Sequence, residues 1–549
     1  MASVSMHLAH ALAARVTDAF GVMGNGNAYL LDALDRTAVR YTAVRHEAGA
    51  VVAADAYYRA GGGLAVATTT YGAGFTNAIT ALAEAAQARI PLLFVVGDAP
   101  ASGKRPWDVD QRAIAAAVGV PTITVGITDA VAVTLDAIDL ALAQRRPVVL
   151  SIPYDLANVE AGNLPQLRAP APPPVVEADP AARATLAEIA RRLAGARRPV
   201  LLAGRGAWLA GASGALGRLG EIAGAVTVSS ALGRGVFPDV RYDIGIAGGF
   251  GQQDAMDLIH RSDVAVVFGA SLNQFTMKFG ALFSSETTLA QLDIGNGATH
   301  PRVDEFVHVD ARIGAELLVD ELERISASPS GWRERVDFAS QRARAPGNGV
   351  APDGRLDPRS VATRIGEMLP DDRVVVSDGG HFIGWANAYW PVAEPDRMMM
   401  VGTAYQSIGL GLPSVVGAAL AKPDSTVVLT TGDGGGLMAL ADLESAIRVA
   451  GGRGIAVVWN DAAYGAELNL YGLKGLAEAP MLIPQVDFAR LAEALGAEGV
   501  AVDDLDALDR LGEWALELAS SRRFLLLDCR ISPDVIAPYQ HEIIAISQQ

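Results

Sequence analysis

Short runs of β-branched and other apolar residues recur along this chain. Each is followed by a glycine-containing turn and then an Ala/Leu-rich stretch with helical spacing. Such runs occupy residues 64–69, 92–96 and 148–152 early in the chain, 200–203 and 264–268 in its middle, and 374–377, 426–430 and 455–459 towards its end. They are continuous rather than alternating, which predicts central strands buried on both faces. The strand–turn–helix rhythm predicts an α/β fold of doubly wound parallel sheets with helices on both sides. Ligands of such sheets collect beyond the carboxyl ends of the strands, so the loops after these runs are where chemistry is expected.

Two Pro-rich or polar stretches interrupt the rhythm, at 166–180 (QLRAPAPPPVVEADP) and at 326–358, which includes SPSGW and RAPGNGVAPDG. Read as linkers, they divide the chain into three doubly wound domains, 1–165, 181–325 and 359–549. A length of 549 residues is itself too great for one core. The N-terminal stretch MASVSMHLAHALAARVTDAF has no basic-then-apolar leader. Arg15 and Asp18 interrupt it as the turns of an amphipathic helix would, and the expectation is a cytoplasmic protein. Residues 398–421 lack charge but contain Tyr405, Gln406, Ser407 and Pro413, which suits a buried helix and its entry loop better than a membrane span.

Half the residues are apolar and 19% are charged, a globular composition that excludes extended disorder. The 44 Lys and Arg against 61 Asp and Glu give a net charge of −17, so neither nucleic acid nor a membrane is expected as a partner. A local basic pocket for phosphate is still compatible with that balance. The single cysteine, Cys529, makes neither an internal disulfide nor a Cys-based zinc site.

The sharpest chemical signal lies in TVVLTTGDGGGLMALADLESAIRVAGGRGIAVVWND. Gly432-Asp433-Gly434 ends one buried run, a helix is expected over 437–449, and Asn460-Asp461 ends the next run. Adjacent parallel strands put their carboxyl ends about 5 Å apart, so Asp433 and the Asn460/Asp461 pair can share one hard cation. The glycines, Gly435 included, leave backbone N–H groups open to a phosphate. Carboxylate, oxygen-rich loop and bare amides together suggest Mg²⁺ bridging a diphosphate. Gly-Asp-Gly alone is a common turn; its pairing with Asn-Asp is the specific feature.

In this spacing, with 25 residues between Gly434 and Asn460, the chain resembles the thiamine-diphosphate-dependent enzymes. Other stretches are similar to the same family. RHEAGAVVAADAYYRAGGG matches the family's early glutamate and small-residue helix, which makes Glu47 the counterpart of its catalytic acid. AVATTTYGAGFTNAITALAEAAQARIPLLFVVGDAP looks like its Thr-rich strand, Gly-rich turn and following helix and strand. GTAYQSIGLGLPSVVGAALA is similar to the loop that supports the bent cofactor, with Ile408 under the bend and the Gln406 carbonyl accepting from the aminopyrimidine. The resemblance covers essentially the whole chain and implies pyrimidine-binding, central and diphosphate-binding domains in that order. It also implies sites shared between subunits of a homodimer or homotetramer.

For a 2-oxo acid, loss of carbon dioxide leaves an acyl carbanion that needs the thiazolium ring as electron sink. By the resemblance, the Glu47 carboxyl favours the imino tautomer of the pyrimidine, whose nitrogen takes the C2 proton, and Ile408 holds the two together. The metal register allows Asn460 or Asp461; the following Tyr464-Gly465 favours Asp461, with the carbonyl of Ala463 as a further oxygen.

Within the family, the pyruvate-decarboxylase type carries a His-His pair where this chain reads GDAPASGKRPWDVDQRAIAAAVGV, without histidine. The benzoylformate-decarboxylase type has a histidine where this chain offers Thr70 or Tyr71. DVDQR and YGAELNLYGL are similar instead to the acetolactate-synthase and benzaldehyde-lyase group, in which a glutamine at the place of Gln111 touches the intermediates. That resemblance implies a carboligase or lyase acting on a small 2-oxo acid or 2-hydroxyketone, the alternatives being a simple decarboxylase and a silent regulatory or assembly homologue. FGASLNQFTMKFG differs from the flavin-contacting segment of acetolactate synthase, so FAD is doubtful. Gly380 and His381, in SDGGHFIGWAN, fall on the diphosphate side, where the histidine would donate a proton or bind phosphate.

Overall fold

Each apolar run folds as a strand, and the strands assemble into three six-stranded sheets in a computed structural model that describes residues 2–172 and 174–547. In the first sheet the spatial order is Arg40–Ala43, Asp18–Gly21, Val66–Thr69, Leu93–Asp98, Val148–Pro153, Thr122–Thr124, all parallel. The third repeats that order: Met398–Met400, Val374–Ser377, Val427–Gly432, Gly454–Asn460, Leu525–Arg530, Glu498–Val502. In both, the strand order reverses beside the first strand, which opens a crevice at its carboxyl end. The middle sheet runs Asp243–Ile246, Val226–Ser229, Pro199–Ala203, Val264–Phe268, Thr288–Asp293, Glu305–His308, again parallel.

By packing, the chain forms two compact units. One holds the first and third sheets and comprises residues 2–172, 349–383 and 399–535. The other, built on the middle sheet, comprises 174–348, 384–398 and 536–547.

Within the first unit the two small-residue helices explain one another. Glu47–Arg59 and Gly411–Ala421 are buried along most of their lengths and cross closely. A Cβ at Gly417 would stand 2.0 Å from the carbonyl oxygen of Ala53, so only glycine allows that crossing. The uncharged stretch from 398 is therefore a short strand, a loop and a core helix. No helix among the described residues is long and apolar enough to cross a membrane.

Three expectations need correction. The N-terminal helix is Val4–Ala13, and Asp18 opens a strand, where its carboxylate pairs with Arg40 at 2.6 Å. The helix expected over 437–449 begins at Asp433, stops at Met438 and resumes as Leu443–Ala450. The interruption frees the Asp442 side chain for a tertiary contact. Residues 326–358 are more than a linker: Trp332 is buried in the core of the middle sheet, and Phe338 packs edge-on against Tyr242. Aromatic burial outweighs the Pro/Gly/Ser composition there.

Candidate active site

Strands Val427–Gly432 and Gly454–Asn460 pair in parallel with Gly432 opposite Trp459, so Asp433 leaves its strand level with Asn460 and close enough to feel the charge of Asp461 in the next position. Asp433 Oδ1 accepts the N–H of Gly434 at 2.9 Å, and the amides of Ala462 and Ala463 also face this carboxylate. Its Oδ2 is buried with no hydrogen-bond partner. Asp461 Oδ1 accepts the Ala463 N–H at 3.2 Å, and Ala462 takes a left-handed φ of 59° that turns the loop back towards Asp433. Burial raises the pKa of both carboxyls, and the charge of Asp433 raises that of Asp461 further. Two desolvated like charges and an orphaned oxygen form the donor set a divalent cation neutralises, so these residues fit the metal that the sequence implies.

Asn460 lies one residue earlier, still within the strand. Its Nδ2 donates to the Val486 carbonyl at 3.0 Å and to Asp528 Oδ1 at 2.8 Å, and its Oδ1 is buried without a partner. The pleat thus directs the Asn460 amide to Asp528 and leaves Asp461 beside Asp433.

The surrounding glycines form a close cradle. A Cβ at Gly434 would meet the Tyr464 ring at 2.7 Å, one at Gly432 the Phe382 ring at 3.0 Å, and one at Gly435 the Asp378 carboxylate at 2.8 Å. Gly465 stands between His381 and Asp461, its Cβ position 3.4 Å from His381 Nδ1 and 2.6 Å from Asp461 Oδ2. His381 is only 5% exposed, and the structure brings it together with the Asp433/Asp461 loops. Gly380 precedes it with a φ of 138°.

Asp378 belongs to this site too, and sequence reasoning passed over it. At the end of strand Val374–Ser377 it accepts the N–H groups of Gly379, Gly409 and Leu410 at 2.8, 3.1 and 3.3 Å and the Thr431 hydroxyl at 3.2 Å. One buried carboxylate therefore ties the His381 loop, the Gln406–Ile408 loop and the strand that leads to Asp433. Its position directly after a β-branched run is the signal that could have found it.

Gln406 is exposed with a left-handed φ of 58°, and the Ser407 N–H closes the turn onto the Gly402 carbonyl at 2.9 Å. Ile408 lies against Gly379, its Cγ2 3.1 Å from the Cβ position there.

On the first sheet Glu47 is the first residue of its helix, and His46 caps that helix by accepting the Ala48 N–H. Glu47 Oε2 accepts Asn77 Nδ2 at 3.0 Å. Gln111 is buried: its Oε1 accepts the Gly72 N–H at 2.6 Å and its Nε2 donates to the Gly97 carbonyl at 2.9 Å. That amide thereby braces the turn after strand Val66–Thr69 against the neighbouring strand Leu93–Asp98. Thr70, on the same turn, accepts the Gly26 N–H at 2.9 Å. Within one chain, then, Glu47 is joined to Asn77, while Asp433 is joined to the 461–463 loop. His260 and His308 are exposed and bonded to the carbonyls of Ala281 and Ile294.

Comparison with known proteins decides the family. Residues 2–118 match the N-terminal TPP-binding domain of thiamine pyrophosphate enzymes, 186–318 their central domain, and 378–529 their C-terminal TPP-binding domain. The chain belongs to the thiamine pyrophosphate enzyme family.

Among curated relatives it is 28% identical to the acetolactate synthase isozyme 3 large subunit of Escherichia coli K12, over 94% of this chain and 92% of that one. It is 25% identical to the sulfoacetaldehyde acetyltransferase of Roseovarius nubinhibens, over 96% and 92%. A solved structure, the thiamine diphosphate-dependent 4-hydroxybenzoylformate decarboxylase of Rhodococcus jostii RHA1, has the same fold: TM-score 0.79 and 21% identity, over 97% of this chain and 99% of that one. This thiamine pyrophosphate enzyme is accordingly a transferase or lyase.

Proposed function

We propose that the enzyme is an acetolactate-synthase-like carboligase or lyase that makes or breaks the bond next to a carbonyl, taking a small 2-oxo acid or 2-hydroxyketone. The observation that carries this reading is Gln111. Its buried amide spans Gly72 and Gly97, and the turn it braces offers Thr70 and Tyr71, with no histidine to protonate a nascent carbanion. A turn without that donor would hold no proton on this side of the bound cofactor, which favours carbon–carbon bond chemistry over simple protonation.

In this reading Asp433, Asp461 and the Ala463 carbonyl hold Mg²⁺, with Asn460 supporting the loop from the sheet. Gly380, His381, Gly432, Gly434 and Gly435 surround the diphosphate. The Gln406 carbonyl and Ile408 position the aminopyrimidine. When bound, thiamine diphosphate supplies the electron sink that side chains lack. Glu47 holds a proton at its carboxyl against the pyrimidine ring nitrogen. His381, buried across Gly465 from the metal loop, orients phosphate or donates a proton from the diphosphate side. Residues 403–406 are exposed in the single chain, which supports an assembly of two or four copies with shared sites.

The test is a screen of 2-oxo acids and 2-hydroxyketones with Mg²⁺ and thiamine diphosphate, with product analysis by chromatography and NMR. A condensed hydroxyketone, or cleavage of one, is the expected product. Release of carbon dioxide and free aldehyde from a 2-oxo acid, with no condensed product and no turnover of any 2-hydroxyketone, would replace this reading with simple decarboxylation.

A further inference from the structure

A buried ionic cluster lies inside the first compact unit, outside the site already described. Arg59, 3% exposed, forms a bidentate pair with Asp55 one helical turn earlier and a second pair with Glu84 at 3.2 Å. Two carboxylates around one guanidinium leave a net negative charge, and Glu84 is only 1% exposed. Such a charge is costly unless every oxygen is bonded. The outward partners come from the stretch that precedes Gln406. Glu84 Oε2 accepts the Tyr405 N–H at 2.7 Å, and Arg59 Nη1 donates to the Met400 carbonyl at 3.0 Å.

We propose that Arg59 and Glu84 are positioning residues for the cofactor: they clamp residues 400–405 at both ends, so that Gln406 keeps its left-handed backbone and presents its carbonyl to the aminopyrimidine. The inference rests on the reading of the Gln406–Ile408 loop given above. Left-handed geometry is unfavourable for glutamine, so it persists only where neighbours over-determine it. The Gly402–Ser407 bond closes the turn from within, and the clamp fixes it from outside. The geometry also explains the choice of glutamate. One oxygen must accept from Arg59 and the other from Tyr405, which glutamine, with one oxygen and one NH₂, cannot do.

The test compares two ligands in the full-length protein with saturating Mg²⁺, thiamine diphosphate and inorganic pyrophosphate. Pyrophosphate reports only the Asp433/Asp461 end. In Glu84→Gln the affinity for thiamine diphosphate should fall about tenfold or more, the worth of one hydrogen bond to a charged group. Pyrophosphate affinity should stay within twofold, and amide exchange across 400–408 should accelerate. Asp55→Asn weakens the cluster without touching residues 400–405, and should lower the melting temperature while leaving the ratio of the two affinities unchanged. A parallel loss of both affinities in Glu84→Gln, or no change in either, would overturn the clamp. If that variant does not fold, Tyr405→Pro removes the donor from an exposed loop and should give the same split in affinities. Asp433→Ala separates the two claims. Retention of thiamine diphosphate binding by that variant refutes the site reading itself, whereas loss there combined with an unchanged ratio in Glu84→Gln refutes only the clamp.

Discussion

The carboxylate of Asp442 accepts the backbone N–H of Arg45 at 2.8 Å, joining residues 397 positions apart in sequence. Asp442 stands at the break in the helix that begins with Asp433, and Arg45 lies two residues before Glu47. The same carboxylate accepts the Ser445 hydroxyl at 2.9 Å, and a Cβ at Gly49 would lie 2.3 Å from its Oδ2. The residues flanking Glu47 are thus held against the break that follows Asp433–Met438 in the same chain.

This close approach makes Gly49→Ala a specific lesion. Overpacking typically costs about 1–3 kcal/mol, and the loss should appear as a lower urea midpoint with an unchanged slope. In an Asp442→Ala background the same substitution should cost much less, because the clashing oxygen is gone. A double-mutant cycle with no coupling would contradict the contact.

Changing Asp433 to Ala should abolish Mg²⁺-dependent binding of thiamine diphosphate, measured by calorimetry with and without the metal. Asp461→Ala should do the same. Asn460→Ala should instead lower stability, because it removes the donor to Asp528 Oδ1 while leaving the metal oxygens in place.

For Glu47→Gln, metal and diphosphate contacts should survive while deuterium exchange at C2 of the bound cofactor slows about 10²–10⁴-fold, the usual worth of general acid–base assistance. Acid quench followed by proton NMR gives the rate. Exchange as fast as wild type would remove Glu47 from the mechanism.

Asp378→Ala leaves the amides of Gly409 and Leu410 without their acceptor. Each buried orphan costs about 1–3 kcal/mol, so a clear drop in the melting temperature and faster amide exchange over 406–411 are expected. Asp378→Asn keeps one acceptor oxygen and should lie between the two.

If sites are shared across a two-fold interface, sedimentation of the active protein should give a dimer or tetramer at working concentration, and dilution to monomer should remove activity. A monomer with full activity would refute shared sites.

What the sequence determined by itself is local or repeats at short range. Continuous β-branched runs at 264–268 and 455–459 mark buried strands because a strand covered on both faces favours apolar side chains at successive positions. GDG and Asn-Asp could be paired because parallel strands bring their carboxyl ends together. The rest depended on where distant segments meet. Asp55, Arg59 and Glu84 have the spacing of ordinary helix-surface charges, and only packing against residues 400–405 makes them a buried cluster. Asp378 and Asp442 read as turn residues until the amides they accept arrive from other loops. Which of Asn460 and Asp461 faces Asp433 turned on a single step of the pleat, since the last residue of a strand points into the sheet's own packing and the next is free to enter the loop. Helix geometry and strand pleat are periodic and can be read along the chain, whereas a contact between residues 397 apart has no local signature.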